Sequence, residues 1–269
     1  MLSSLVKFFI NAGNNTTLFW TNTLQTVWFI GEVFSNSLYA IKRPKKIRWR
    51  ETLYYMDMCG REAFFIVALI CFLMGLILGV QSAVQMHKLG ADIFVADLVG
   101  FSILKELGPL MVALICTGRA GSAFAAEIAT KKLNEEIDAM TTMGFDPIRF
   151  LVIPKMLALT IVMPLLTAIG DFFGLLGGLF VGVFQLNIQV ATYIDRSLSV
   201  LGPVDLMEGI TKGLIFAILI SGIGCLKGLQ SKKDAQGVGR AATAAVVSGI
   251  FLVILADTLL TILFTGIYR

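Results

Sequence analysis

Histidine is almost missing from this chain, cysteine is sparse and ionised side chains are thin. His87 is the only histidine among 269 residues. The four cysteines, Cys59, Cys71, Cys116 and Cys225, stand far apart with no C-x-x-C pair. No zinc site can be assembled from such a set, and a lone histidine gives no Ser/His/Asp arrangement. No G-x-x-x-x-G-K-[ST] phosphate loop occurs, and Gly237-Val238-Gly239 follows no buried strand. The chain therefore lacks the usual nucleotide cradle. No catalytic activity, metal or cofactor of its own is expected. Charged residues make up 15% and hydrophobic ones 57%, against about 25% and 45–50% in soluble domains. The missing charge is concentrated in long stretches that have none, which is a membrane composition. The N-terminus does not read as a cleaved signal peptide. Lys7 interrupts the apolar cluster Leu5 to Ile10, and Asn11 to Thr17 is polar.

What is present is hydrophobic length. A bilayer core of about 30 Å needs about 20 apolar helical residues. Ala63 to Val80, Ile153 to Leu186, Leu214 to Leu226 with its flanks, and Ala241 to Ile267 meet that requirement. A fifth run, Ile93 to Gly118, also does so while carrying Asp97, Lys105 and Glu106. Backbone polar groups must be satisfied internally in lipid, and apolarity without strict alternation excludes a barrel. The expected fold is all-α and integral to the membrane. The Ile153–Leu186 run is too long for one upright span, and Pro154 and Pro164 lie within it. A tilted helix and one broken near Pro164 both fit.

Basic residues set the orientation. Lys42, Arg43, Lys45, Lys46, Arg48, Arg50 and Arg61 precede the first span or stand at its start. Arg119, Lys131, Lys132, Arg149 and Lys155 mark the second-to-third connection, and Lys227, Lys232, Lys233 and Arg240 the fourth-to-fifth. The opposite side has Lys88, Arg196 and Arg269. Five spans place the clusters together, with the N-terminus inside and the C-terminus outside. Upstream, Trp20, Leu24, Val27, Trp28, Phe34, Leu38 and Ile41 recur at helical spacing. That pattern suits an interfacial helix with its basic cluster on anionic lipid, or a helix packed on the protein's own spans. Residues 1–50 form this N-terminal part, and 51–269 the body that carries the spans.

Three patterns point to finer features. Gly170, Gly174, Gly178 and Gly182 recur every fourth residue, making a groove that admits another helix backbone. Gly75 and Gly79 repeat the spacing once. Asp97, Lys105, Glu106, Asp171 and Asp257 lie in or beside spans, where charges are costly and face cavities or partners. Lys105 and Glu106 point about 100° apart on a helix, so they do not pair with each other. Glu106 precedes Gly108-Pro109, which predicts irregular backbone and makes it a candidate cavity residue. Asp171 and Asp257 equally suit hydrogen bonds between helices. Finally, Glu127 to Met143 reads as an amphipathic cytoplasmic helix, with Ile128, Leu133, Ile137 and Met140 on one stripe. Lys131, Lys132, Glu135, Glu136 and Asp138 fill the remainder, and Gly144, Asp146 and Pro147 end it. Such a helix is one that a motor subunit's groove could grip.

Several longer strings resemble the MlaE (YrbE-type) permeases, membrane subunits of MCE-associated lipid ABC transporters. They are Leu104-Lys105-Glu106-Leu107-Gly108-Pro109, Thr117-Gly118-Arg119-Ala120-Gly121-Ser122-Ala123 and Ala126-Glu127-Ile128. Glu135-Glu136-Ile137-Asp138-Ala139-Met140 and Met143-Gly144-Phe145-Asp146-Pro147 continue the likeness. It runs from about Arg61 to the end. Lys105 stands where the family often has arginine, which keeps the charge but loses bidentate contact. The resemblance implies a homodimer of five-span subunits, each with an N-terminal interfacial helix, in the bacterial inner membrane. It implies a separate cytoplasmic ABC ATPase carrying ATP and Mg, periplasmic MCE-domain proteins and, in many systems, a STAS-domain protein. The cargo would be phospholipid moved between inner and outer membranes, maintaining outer-membrane asymmetry. Lys105 and Glu106 match cavity positions. Phe72, Leu76 and Val80, with Phe64, Phe65 and Leu69, could supply its apolar wall. Glu127, Leu133, Glu135, Glu136, Ile137 and Met140 would couple to the ATPase.

Two other classes fit the hydrophobic pattern. An ion-coupled secondary transporter would use Asp97, Glu106, Asp171 or Asp257 as proton carriers. A non-transporting scaffold would need only Leu133, Ile137 and Met140. The first of these predicts an internal repeat, and none is visible between the halves.

Overall fold

The computed structural model describes residues 24, 26–37, 39, 42 and 48–267. Trp20, Leu38, Ile41, Arg43, Lys45, Lys46 and Arg269 lie outside the described residues. Among those described there is no strand. Helix α1 covers 26–37. It is followed by α2 (Trp49–Lys88), α3 (Phe94–Ser102), α4 (Gly108–Cys116), α5 (Ser122–Leu133) and α6 (Glu136–Thr142). Then come α7 (Ile153–Phe184), α8 (Val190–Val200), α9 (Pro203–Leu229) and α10 (Ala235–Ile267). Three one-turn π-helices, Ile103–Leu107, Thr117–Gly121 and Ile148–Val152, join α3 to α4, α4 to α5 and lead into α7.

Among the described residues, five continuous rods are long and apolar enough to cross a membrane: Trp49–Lys88, Phe94–Leu133, Ile148–Phe184, Pro203–Leu229 and Ala235–Gly266. Each outruns its apolar centre. The first span extends well beyond Ala63 to Val80, because helix once nucleated propagates through polar residues at the interfaces. Gly90, at φ 66°, stops it. The third span does not break at Pro164. Proline lies inside α7, which runs unbroken for 32 residues, about 48 Å at 1.5 Å per residue. Pro154 sits in the first turn, where a missing N–H costs nothing.

Glycines set how closely the rods approach. A Cβ on Gly75 would fall 1.9 Å from the Gly174 carbonyl oxygen, and one on Gly177 2.2 Å from that of Phe72. Helices α2 and α7 thus touch backbone to backbone. The Gly170–Gly182 ladder borders that contact, with Gly170 also meeting Cys71 and Val67 of α2. Its members also meet Val112, Ile103, Val99 and Tyr193 in turn, so span two and α8, with α2 beside Gly170, fill the groove within one chain. The main core joins Val67, Phe124, Leu159, Met163, Phe216 and Ile220, and a smaller one joins Val95, Val99, Ile103 and Val181. All four cysteines are buried and free.

The outer faces stay apolar. Phe65 is 78% exposed, Val247 69% and Phe251 64%, which is what lipid contact requires. In α1 the residues Val27, Trp28 and Phe34 also point outward, while Phe29 is buried and Val33 packs on the core. The helix has one face for lipid and one for the protein. Helix α8 was not anticipated from sequence. Val190, Ile194 and Leu198 form its exposed apolar stripe, and Tyr193 anchors it under Gly178 and Gly182.

Candidate functional site: a charge network inside the spans

The π turn Ile103–Leu107 carries Lys105 and Glu106 in the first third of span two. Its cause is local. Pro109 has no N–H, so the regular ladder cannot close there, and Gly108 N–H donates to Ile103 O across the wider turn. Gly108 is needed for space, since a Cβ would lie 1.8 Å from Asp171 Oδ1. Helix α9 then lies directly on the turn, because Gly209 lacks the Cβ that would strike Leu104 O at 2.3 Å.

That approach brings one stripe of α9, Asp205, Glu208 and Lys212, onto the adjacent pair. Lys105 Nζ lies 2.7 Å from Asp205 Oδ1 and 3.4 Å from Glu208 Oε2. Glu106 turns the other way, as its 100° offset requires. Its carboxylate accepts from Lys212 Nζ at 2.7 Å and from the Thr261 hydroxyl at 2.9 Å. Lys212 also donates to Thr261 at 2.9 Å and stands 3.1 Å from Asp257 Oδ1, a charge contact without hydrogen-bond alignment. Lys212 is wholly buried, whereas Lys105 and Glu106 keep about a third of their side chains exposed (31% and 36%). Two ammonium groups meet four carboxylates across spans two, four and five. The buried ends offset one another's charge, and Lys105 and Glu106 stay partly open.

Sequence reasoning found Lys105 and Glu106 and their failure to pair, but missed Asp205, Glu208 and Lys212. Their i, i+3, i+7 spacing was the available signal. It lay before the apolar run at Leu214 and so passed for a link. Asp257 belongs to the network. Asp97 instead pairs with Arg196 on α8 at 2.8 Å, and the Arg196 guanidinium is held above its usual pKa by that carboxylate. Asp171 is buried against Gly108 without a hydrogen-bond partner. Of the suggested apolar wall, Leu76 packs with Ile103 and Leu104, Phe72 is half-buried along α7, and Val80 is exposed.

The Glu127–Met143 stretch is two helices, not one. Glu135 takes a left-handed conformation (φ 60°), which ends the ladder of α5 and starts α6 at an angle. Glu127 therefore belongs to span two and turns inward. Tyr55 donates to it at 2.8 Å, and the fully buried Lys155 donates to Glu127 at 3.0 Å and to Tyr55 at 2.7 Å. This triad ties α2, α5 and α7 together. Leu133 and Met140 are half-buried, and Ile137 packs on the core. Glu136 pairs with Lys131 at 3.2 Å, and that partner holds its carboxyl below the usual range. Asp138 and Glu135 face Lys233. The apolar surface left open beyond α6 is Met143 and Phe145.

The family model for Permease MlaE matches residues 52–263. A probable ABC transporter permease of Rickettsia conorii is 38% identical over 89% of this chain and 95% of its own length. One from Synechocystis is 31% identical over 92% and 93%. The intermembrane phospholipid transport system permease MlaE of Haemophilus influenzae is 31% identical over 78% and 81%. ATP hydrolysis in such systems belongs to a separate subunit, and these relatives bring an ATPase partner with them. This five-span, multi-pass membrane protein belongs to the MlaE permease family.

Proposed function

We propose that this permease moves phospholipid between the inner and outer membranes, from a seat in the inner membrane. It works as a homodimer with two cytoplasmic ABC ATPases, periplasmic MCE-domain protein and, where present, a STAS-domain protein. The chain binds no cofactor itself, since ATP and Mg sit on the ATPase. The name of the Haemophilus relative supports the cargo. The observation that carries the reading is the half-open charge network at the π turn. A zwitterionic headgroup is matched by an ammonium and a nearby carboxylate in an otherwise apolar wall, and Lys105 and Glu106 offer both. Lys105 with Phe101 at 5.5 Å makes the basic side of that mouth. Motor closure changes the affinity of the mouth for lipid, because only differential affinity shifts a population.

The test is reconstitution of the purified complex, followed by transfer of labelled phospholipid to acceptor vesicles. Transfer should need ATP and should fall in Glu106→Gln without loss of ATPase binding. Lipid movement driven by a proton gradient with no ATPase present would defeat the reading. So would co-purification from membranes that yields no ATPase.

A further inference from the structure

Two cavities lie beneath α1, on the side of the molecule where α9 ends and the third span begins. The first, about 540 Å³, is almost wholly apolar, with Ile30, Val33, Met156, Leu219, Gly222 and Leu252 in its wall. The second, about 660 Å³, is lined by Glu32, Lys132, Thr141, Asp146 and Gln230 among others. Each falls within the roughly 300–1,000 Å³ typical of ligand sites. They meet at Phe29 and Leu226, which line both. The apolar chamber runs along the spans. The polar one sits at their ends, where Leu229, Gln230, Pro147 and Ile148 mark the edge of the apolar zone.

We infer that this bipartite groove holds a phospholipid of the leaflet in which α1 lies, its acyl chain in the apolar chamber and its headgroup in the polar one. An amphiphile is the occupant whose chemistry changes over that same distance. The first chamber has almost no polar surface, and the second, still mostly apolar, adds the charged and amide groups of Glu32, Lys132, Asp146 and Gln230 at one end. The headgroup carries an ammonium group. Lys132, a cation of the polar chamber, already donates to the carbonyls of Leu229 and Ser231 at 2.6 and 2.8 Å. Glu32 and Asp146 remain as the acidic wall. Burial and the nearby Asp146 carboxylate push the Glu32 pKa up, and a cation seated between the two carboxylates would relieve their mutual repulsion. Asn36 Nδ2 donates to Asp146 Oδ2 at 3.0 Å and holds it in place. The bound lipid then fixes α1 to α7 and α9. The site is separate from the charge network and stands whether or not the cargo reading does.

Gly222 supplies the test. A Cβ there meets nothing within 4 Å, so Gly222→Phe fills the apolar chamber without displacing its walls. The full chain is placed in nanodiscs of phosphatidylethanolamine doped with a phosphatidylethanolamine photolabelled on the acyl chain, and cross-links are mapped by mass spectrometry. Label should appear on peptides of α1 and α9 and fall about tenfold in Gly222→Phe, the loss that about 1.4 kcal/mol of binding would produce. Label on the lipid-facing side of α10 should not change. Thr160→Trp, from the opposite wall, should give the same loss and decides the matter if the first variant does not fold. Unlabelled phosphatidylethanolamine should compete several-fold better than phosphatidylglycerol, and equal competition overturns the headgroup assignment. Undiminished labelling in both variants overturns the site. So does a wild-type chamber that takes no label, the result expected if another segment of this chain fills it.

Discussion

Lys212 is the residue on which the intramembrane network turns. It is wholly buried and faces Glu106, Asp257 and Thr261. A buried ion pair adds little net stability against an apolar substitute, but removing one partner strands the other. Lys212→Met should therefore lower stability by about 3–5 kcal/mol, read as a fall in the detergent-solubilised thermal midpoint. Adding Glu106→Gln and Asp257→Asn should recover most of that loss, because the stranded charges are gone. Lipid transfer should stay abolished in the triple variant if the open carboxylate serves the headgroup. Transfer restored along with stability would show the network to be structural only. The sequence announced half of this arrangement. An adjacent Lys–Glu pair before Gly-Pro, in a run otherwise without charge, is conspicuous, and helical geometry forbids the two to pair. Their partners were hidden because they lie about a hundred residues away in sequence, and charged residues ahead of an apolar run look like a loop. Local spacing reports which way a side chain points. It does not report what waits there.

At the scale of elements, glycine positions divide by what stands opposite. Gly75→Ala forces a methyl group into the Gly174 carbonyl, so α2 and α7 must separate. The expected cost is about 1–3 kcal/mol, the usual penalty for overpacking. Gly239 lies in α10 with open space around it, and alanine there should be neutral or stabilising by up to about 1 kcal/mol. Thermal unfolding of the two variants checks the pair; equal shifts would mean that α2 and α7 are not held at backbone contact. The every-fourth-residue ladder was legible as a packing surface, since only spacing was needed. Which helix filled it was not legible, and neither was α8, whose Tyr193 covers two of its four glycines. The break at Glu135 escaped for a different reason. Apolar periodicity passes straight through Leu133, Ile137 and Met140, and a left-handed glutamate leaves no mark in composition.

For the whole molecule, five spans arranged in sequence carry α6, the fourth-to-fifth connection and α1 to one face. The cavity shared by α1 with Ile137, Thr141 and Gln230 places the N-terminal helix at that face directly. Basic residues cluster there, and the positive-inside rule would make that face cytoplasmic, the side an ATPase can reach. Ile137 is committed to the core, which leaves Met143 and Phe145 as the exposed apolar surface proposed for ATPase docking. Met143→Asp with Phe145→Asp should reduce ATPase recovery on co-purification while the chain still inserts; unchanged recovery would move the docking surface elsewhere. An odd number of spans also separates the two ends of the bundle. A membrane-impermeant thiol reagent applied to intact cells should therefore label a cysteine placed at Gly266 but not one placed at Thr142, in a background where the four buried native cysteines are replaced by alanine or serine. Labelling of both positions from the same side would require an even number of crossings. It would also take α6 away from the compartment that holds ATP, and no arrangement of the charge network could then be driven by a cytoplasmic motor.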